Sequence, residues 1–502
     1  MSQHRYADRR VCDVLVLGAG LAGLRAAVAA KSRRPRLKVA VLTAAHSPSG
    51  SSFSNRNNAL GLQAPVTDAE KEAFVEEALR LAAPGQARHL LAATLAEEAQ
   101  ARVEEMVQLG LHFRQANDSL TRHPACFSPE SKRALIFDGL DRAFHRFLAW
   151  AKQKEALFWP GLRVTGLVRG DTGGFTVLTE QGETAVASAV VLALGGPAGL
   201  FAWSMAGKRL GGESYGLLRQ AGAEMANAGF LQFFWTQVRR KRFIPLGGLF
   251  RPGAAIVEQE ERLIDPFTDL SAEAAHQLAN LATQRGAHCP VGYGLPDSFL
   301  DGILKAGLDR NGLVVFRASD GRSLSIAPMA HAGNGGALID EHGGTGVPGL
   351  FACGECATGM HGANRIGGAM AAATQVFGKR AGEAAAEFAS NAPQPLRPDP
   401  WADIKPPPPR RPGELGELRR RMQKNAVLGG QPGLNELKAW LQERQEHASG
   451  SWELQLLSAE TIVDDLLQTW EKAGGDPLTV RGGELQKNGK KLNEGLQKSN
   501  RP

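Results

Sequence analysis

The sequence predicts an α/β fold: a Rossmann-like dinucleotide-binding domain, split by an inserted α+β domain and followed by a helical C-terminal region. Three observations predict it. A strand-turn-helix-strand pattern with Gly18-Ala-Gly20-Leu-Ala-Gly23 at its turn opens the chain. A second apolar strand, AVASAVVLALGG, ends at Gly195-Gly196. After a stretch of mixed composition, a third strand, GLFAC, leads into the polar, glycine-rich run GECATGMHGANRIGGA and a long alanine-rich helix.

The first unit carries the strongest signal. CDVLVL, residues 12–17, is a short β-rich run, an alanine-rich helix follows to about Ala30, and LKVAVLT supplies the second strand. In G-x-G-x-x-G at such a turn, Gly18 makes the turn and Gly20 lets a pyrophosphate approach the backbone; Gly23 allows helix and strand to pack closely. Leu21 and Ala22 open the helix, whose N-terminal amides carry partial positive charge toward a diphosphate. Where the second strand usually ends in an acid for the adenosine ribose, this chain has Thr43, whose hydroxyl still hydrogen-bonds, though less strongly than a carboxylate.

Residues 67–111 have helical periodicity, 162–168 and 174–180 read as an antiparallel pair turning at Gly173-Gly174, and 212–223, GESYGLLRQAGA, begin a helix at Glu213 beside the ligand. From Trp235 to Ala330 no long strand or glycine-rich turn stands out. The expected divisions are therefore 1–234 and 331–390 for the two parts of the dinucleotide-binding domain, 235–330 for the inserted capping domain, 391–412 for a proline-rich linker, and 413–502 for helices and a basic tail.

Composition bounds the class. At 502 residues, 43% hydrophobic and 22% charged, the chain is long enough for two or three domains of ordinary globular character. A net charge of +7 without an aromatic-interleaved basic stripe argues against nucleic acid. Basic residues gather at Arg239-Arg240-Lys241-Arg242, at Arg410-Arg411 and after Arg481, as a solvated face or as contacts for an acidic partner. Five cysteines make no disulfide framework, and Cys353-Gly-Glu-Cys356 lacks a second pair at zinc spacing, so no metal site is expected; a redox dithiol is the alternative. Arg9-Arg10 before an apolar stretch imitates an export signal, but Asp13 and Arg25 interrupt it. With no run of about 18 apolar residues, the expectation is a soluble cytoplasmic protein without a transmembrane segment.

Taken together, the N-terminal glycine motif, VVLALGG, the inserted segment and, above all, VPGLFACGECATGMHGANRIGG followed by VFGKRAG resemble the flavoprotein family of succinate dehydrogenase, fumarate reductase and L-aspartate oxidase. The resemblance runs from about Asp13 to Gly382 and implies FAD as cofactor. It implies that Gly18, Gly20 and Gly23 hold the pyrophosphate, that Glu355 after Gly354 contacts the ribityl chain, and that SSFSNRNNALGLQA, with Ser51, Ser52, Asn58 and Gly61, runs beside the isoalloxazine ring. The histidine that is covalently linked to flavin in succinate dehydrogenase has no counterpart in Phe53-Ser54-Asn55-Arg56, which implies noncovalent FAD. Family members clamp a dicarboxylate with the arginine of His-Gly-Ala-Asn-Arg and a histidine before Gly-Gly, which match Arg365 and His331; a guanidinium fork reads a carboxylate bidentately. The alternative is that Arg365 caps a turn and His331 is an interior histidine.

Other positions depart from the family. Its QFHPT is Gln232-Phe233-Phe234-Trp235-Thr236, which removes a histidine and adds apolar bulk. Its threonine-glutamate pair has no match in IPLGGLFRPG, and its asparagine-serine after the arginine motif is Ala369-Met370. Its proton-shuttling arginine falls at or near Glu273, where a reversed charge about 4 Å from a carboxylate is worth roughly 4 kcal/mol each way at an effective dielectric near 20; Arg251 and Arg262 are the substitutes. The resemblance thus implies an FAD-dependent oxidoreductase moving hydride between flavin N5 and a carboxylate-bearing substrate flatter or more apolar than succinate. The alternatives are a flavoprotein subunit of an electron-transfer complex, peripheral membrane assemblies included, an L-aspartate oxidase, and thiol-disulfide exchange through Cys353 and Cys356. Nothing in the chain ligates iron–sulfur or haem, so electrons leaving the flavin go to oxygen, quinone or a partner protein.

Overall fold

The computed structural model describes residues 10–473 apart from 56–57, 172, 208–209, 252–253, 258–262, 268–270, 286–289, 318–320, 393–412 and 428. The Arg410-Arg411 pair, Arg262, most of the proline-rich linker and the basic tail lie outside the described residues.

The first half is built on β1 (Arg10–Leu17), α1 (Leu21–Arg33), β2 (Val39–Thr43), α2 (Gly50–Phe53), β3 (Ala59–Gln63), α3 (Asp68–Ala82), α4 (His89–Gln108), β4 (Ala134–Asp138) and α5 (Leu140–Gln153). There follow β5 (Leu157–Pro160), β6 (Val164–Arg169), β7 (Phe175–Thr179), β8 (Thr184–Leu192) and α6 (Ser214–Gln220). The cap contributes β9 (Leu231–Gln237), β10 (Arg242–Phe243), β11 (Ala255–Val257), β12 (Leu263–Ile264), α7 (Ala272–Arg285), α8 (Ser298–Ala306), β13 (Val314–Arg317) and β14 (Ser323–Gly333). The chain returns through β15 (Leu350–Ala352) and α9 (Ala369–Asn391), then α10 (Glu414–Asn425), α11 (Gln431–Gln445) and α12 (Gly450–Ala473).

The main sheet has the order β6-β7-β8-β1-β2-β5, with β15 extending β8. Strands β1, β2, β5, β8 and β15 run parallel, so their C-terminal ends open on one edge. Both faces are covered, and β1 and β8 accordingly read as continuous apolar runs. Helices α1 and α9 lie against each other over the sheet because their contact is stripped of side chains. A Cβ on Gly382 would sit 2.2 Å from the Ala26 carbonyl oxygen, which explains the glycine of the GKRAG run.

The inserted segment differs from the expectation that it lacks long strands. It forms a six-stranded antiparallel sheet, β10-β9-β14-β13-β11-β12, whose strand β14 is 11 residues long. The expected divisions at 234/235 and 330/331 fall inside β9 and β14, which pair from Leu231↔Gly333 to Gln237↔Ile326. Its core is shared with the C-terminal helices: Phe201, Phe230 and Phe233 cluster with Leu418, Met422, Leu437 and Ile462. Within the cap, the buried Arg285 pairs with Asp301 at 2.8 Å and with Asp297 at 2.9 Å, and the Trp235 indole donates to Asp301 at 2.8 Å.

Candidate functional site

The parallel strand ends, the N-termini of α1 and α9, and the cap strands β9 and β14 surround one cavity. Gly18, Gly20, Leu21 and Ala22 line it from the first turn, and Gly18 needs its glycine: φ is +107° and a Cβ would lie 2.4 Å from the Ala193 carbonyl. Helix α1 begins after Gly20, an N-cap without a side chain, and has no acidic residue in its first turn; Leu21 N donates to Ser52 Oγ at 3.3 Å, and the positive end of the helix faces the cavity. The longer α9 starts the same way at Gly368, with φ +82°.

Most of the expected residues converge here. Thr43, Ser51, Ser52, Gly61, Gly195, Glu213, Gly354, Glu355, Arg365 and His331 all line the cavity. Three do not. Gly23 is a packing position, since a Cβ there would meet Gly18 O at 1.9 Å. Gly196 gives room to the Glu355 carboxylate, whose Oε1 a Cβ would approach to 2.0 Å. Asn58 accepts a hydrogen bond from Leu140 N at 2.8 Å and so starts α5; the cavity is lined instead by Asn55. At the Thr43 end, Glu213 accepts from Arg163 at 2.8 Å and from Gln455 of α12 at 3.2 Å, which ties the cavity wall to the C-terminal helices.

At the cap end the alternation of β9 decides which aromatic rings count. Phe234 faces the cavity, stacks on Phe243 at 4.5 Å and meets the His331 ring edge-on at 5.2 Å. Phe233 and Trp235 face the other way into the cap core, so only one of the three aromatics expected in the pocket is there. Glu273 is also not where the family comparison would place it. It stands exposed in the first turn of α7 and lines neither the flavin cavity nor the cavity beside α7; Arg251 is likewise exposed.

Arg365 is 6% exposed and donates from Nη2 to Gln232 Oε1, while Nη1 is buried without a hydrogen-bond partner. Three asparagine amides fix its loop. Asn334 donates to Ala363 O at 2.9 Å, Asn227 to His361 O at 3.3 Å, and Asn364 exchanges hydrogen bonds with both backbone groups of Tyr293 in the cap, each at 2.8 Å. Gln232 and these asparagines were not singled out from sequence; the match of Gln232 to the first position of QFHPT was the available signal.

Burial lowers the Arg365 pKa to about 10, partly offset by Glu355, and leaves it a cation at neutral pH. Burial raises Glu355 to about 7, against the stabilising N–H of Gly333 at 2.8 Å and the Arg365 charge. His361, with both ring nitrogens buried and unpartnered, is held neutral by burial and by Arg365. Cys353 and Cys356 are fully buried, and burial pushes both thiols up, Cys356 to about 12; this disfavours the thiolate that exchange chemistry needs.

The cavity thus offers two helix N-termini, a glycine floor, and the unpartnered buried atoms Ser51 Oγ, Asn55 Oδ1 and Arg365 Nη1. These donors, with the Asn55 Oδ1 acceptor, fit a dinucleotide carrying a diphosphate and a polar ring. Residues 13–370 match the family model described as FAD binding domain. The chain belongs to that family. It is 28% identical to the L-aspartate oxidase of Caulobacter vibrioides over 93% of this chain and 94% of that one. It is 28% identical to a component of the fumarate reductase (CoM/CoB) of Methanothermobacter marburgensis over 76% and 73%. Its fold matches that of the Mycobacterium smegmatis Sdh1 complex, with a TM-score of 0.68, 23% identity and coverage of 92% and 87%.

The protein is an FAD-dependent oxidoreductase of the succinate dehydrogenase, fumarate reductase and L-aspartate oxidase family, and FAD is its cofactor. Among the described residues no group of side chains is arranged to hold a metal ion, and no helix is long and apolar enough to cross a membrane.

Proposed function

We propose that this flavoprotein transfers hydride between FAD and a carbon next to a carboxylate, on a substrate more apolar than succinate. The observation that carries the reading is Arg365: a buried guanidinium with one edge engaged by Gln232 and Nη1 unpartnered, in a cavity that also holds His331. When bound, FAD supplies the hydride acceptor or donor. Arg365 holds the carboxylate by charge-assisted hydrogen bonds, and His331, which lines the same cavity, helps to fix its orientation. Phe234 and Phe243 exclude water from the substrate's other end and remove the polar grip that a second carboxylate would need. Glu355 and the open N-termini of α1 and α9 hold the cofactor without a covalent link, there being no histidine among Ser51, Ser52, Phe53, Ser54 and Asn55.

The test is anaerobic photoreduction of the holoprotein, followed by mixing with fumarate, with iminoaspartate generated from oxaloacetate and ammonia, and with unsaturated monocarboxylates. Reoxidation by an unsaturated carboxylate, lost in Arg365→Gln with flavin content retained, supports the reading. A flavin reoxidised only by a co-purifying protein overturns it in favour of an electron-transfer role within a complex. The exposed basic turn Arg239–Arg242 beside Phe243 supports that second reading. Preferential reduction by L-aspartate would assign the aspartate oxidase reaction, which the near full-length similarity to the Caulobacter enzyme supports.

A further inference from the structure

In a dinucleotide-binding fold the end of the second strand faces the adenosine half of the ligand. Here β2 ends at Thr43, whose Oγ1 accepts from Ala45 N at 3.4 Å. The carboxylates among the described residues that line the flavin cavity are Glu355, beside Arg365, and Glu213. Glu213 belongs to the β2 end: Thr43 O accepts from Leu162 N at 3.1 Å, and the next residue, Arg163, donates to Glu213 Oε1 at 2.8 Å.

A second donor to the same oxygen comes from beyond residues 13–370, the part of the chain that matches the family. Gln455 of α12 is 3% exposed, and its Nε2 donates to Glu213 Oε1 and to Gly211 O, each at 3.2 Å. With Oε1 engaged twice, Oε2 accepts no hydrogen bond among the described residues. Gly211 makes room for the carboxylate, since a Cβ there would lie 2.1 Å from Glu213 Oε1. Helix α12 is held at this depth by its seat on α6, whose N-cap is Glu213. A Cβ on Gly216 would lie 2.1 Å from Leu454 O, Ser458 Oγ accepts from Gly216 N at 2.7 Å, and Glu460 pairs with Arg219 at 2.9 Å.

We propose that Gln455 is a positioning residue for the cofactor: with Arg163 it fixes Oε1 of Glu213, leaving the second oxygen to accept from a hydroxyl of the adenosine ribose, so that the C-terminal helices complete the FAD site. A carboxylate pinned through one oxygen has little rotamer freedom left to lose when the ligand arrives. Preorganisation of this kind adds affinity without a further ligand contact. The proposal concerns retention of FAD alone and is independent of which substrate Arg365 holds.

Titration calorimetry of the full-length apoprotein with FAD tests this through a double-mutant cycle. Gln455→Met removes both donated hydrogen bonds at similar volume and should weaken FAD binding about tenfold, and Glu213→Gln should weaken it by a similar factor. Because Gln455 acts through Glu213, the double variant should bind no more weakly than the weaker single variant. Losses that multiply to about a hundredfold overturn the proposal, since a residue that only packs loses affinity independently of Glu213. Unchanged affinity in Gln455→Met overturns it as well. Should Gln455→Met not fold, Gln455→Glu keeps the shape and sets two carboxylates against each other. Its loss of FAD affinity should be partly restored by Glu213→Gln, and a loss that Glu213→Gln leaves untouched or deepens overturns the assignment. ADP, which carries the adenosine and diphosphate without the flavin, should weaken in Gln455→Met as FAD does; ADP binding indifferent to that substitution overturns the placement at the nucleotide end.

Discussion

Arg365 donates from Nη2 to Gln232 Oε1, and the Gln232 amide returns a hydrogen bond to Arg365 O at 3.4 Å, so the cap strand β9 grips the guanidinium from one side and leaves the other side to a ligand. Arg365→Lys keeps the charge but loses the planar fork. The expected outcome is a fall of about two decades in kcat/KM for the carboxylate substrate, with flavin content retained, measured by steady-state kinetics on flavin-normalised enzyme. Gln232→Ala should raise KM by a smaller factor, about tenfold, because the cation remains and loses only its orientation.

Glu355 gives a pH dependence with a definite sign. Its pKa is about 7 in the folded apoprotein, against about 4.3 in an unfolded chain, so folding favours the protonated form. Its contribution to stability is complete below the unfolded value and is lost as pH rises through 7. The loss is on the order of 2 kcal/mol, discounted because the carboxyl group is only partly enclosed. Apoprotein Tm recorded between pH 4.5 and 8 should therefore decline over this interval, and Glu355→Gln should flatten the decline.

The glycines of the first turn separate folding from cofactor binding. A Cβ at position 23 would lie 1.9 Å from the Gly18 carbonyl oxygen, so Gly23→Ala should lower the apoprotein Tm sharply or prevent folding. At position 20 the nearest atom would be Ser52 Oγ at 3.3 Å, so Gly20→Ala should fold with an almost unchanged apoprotein Tm. It should still weaken FAD binding by about ten- to a hundredfold, a cost of roughly 1.4 kcal/mol per decade in Kd, because the methyl group stands where the diphosphate meets the backbone.

Removing Asp301 would strip the buried Arg285 and the Trp235 indole of a shared partner. Asp301→Ala is expected to destabilise the cap by about 3 kcal/mol, read as a lowered denaturant midpoint. Flavin binding should suffer less, since neither Arg285 nor Asp301 touches the flavin cavity.

Acid or heat treatment should release all of the yellow cofactor into solution. Flavin remaining with the precipitated chain would show a covalent bond and overturn the noncovalent reading.

The turn after β1, the strand ending at Gly195 and the Arg365 run were legible because each joins a strong local pattern to a backbone requirement that only glycine meets. What escaped was set by tertiary placement. Asn55 and Asn58 are equivalent in sequence terms, yet one lines the cavity and the other starts α5. The aromatic run 233–235 could have been divided by strand alternation, had the strand itself been recognised. It was hidden because Phe234 puts an aromatic ring on the cavity face between Gln232 and Thr236, which blurs the alternation with Leu231, Phe233 and Trp235 on the cap-core face. Glu273 was misplaced by matching residues across a segment in which gapless alignment says nothing about where a helix points.

One amide has a mechanical consequence. Asn364 holds both backbone groups of Tyr293 and sits a single peptide bond from Arg365. Rocking that part of the cap outward would drag the positive charge with it, and settling it back would return the charge to its post. Any displacement of that part of the cap would therefore be passed on to Arg365, and replacing Asn364 by alanine would be expected to uncouple the two.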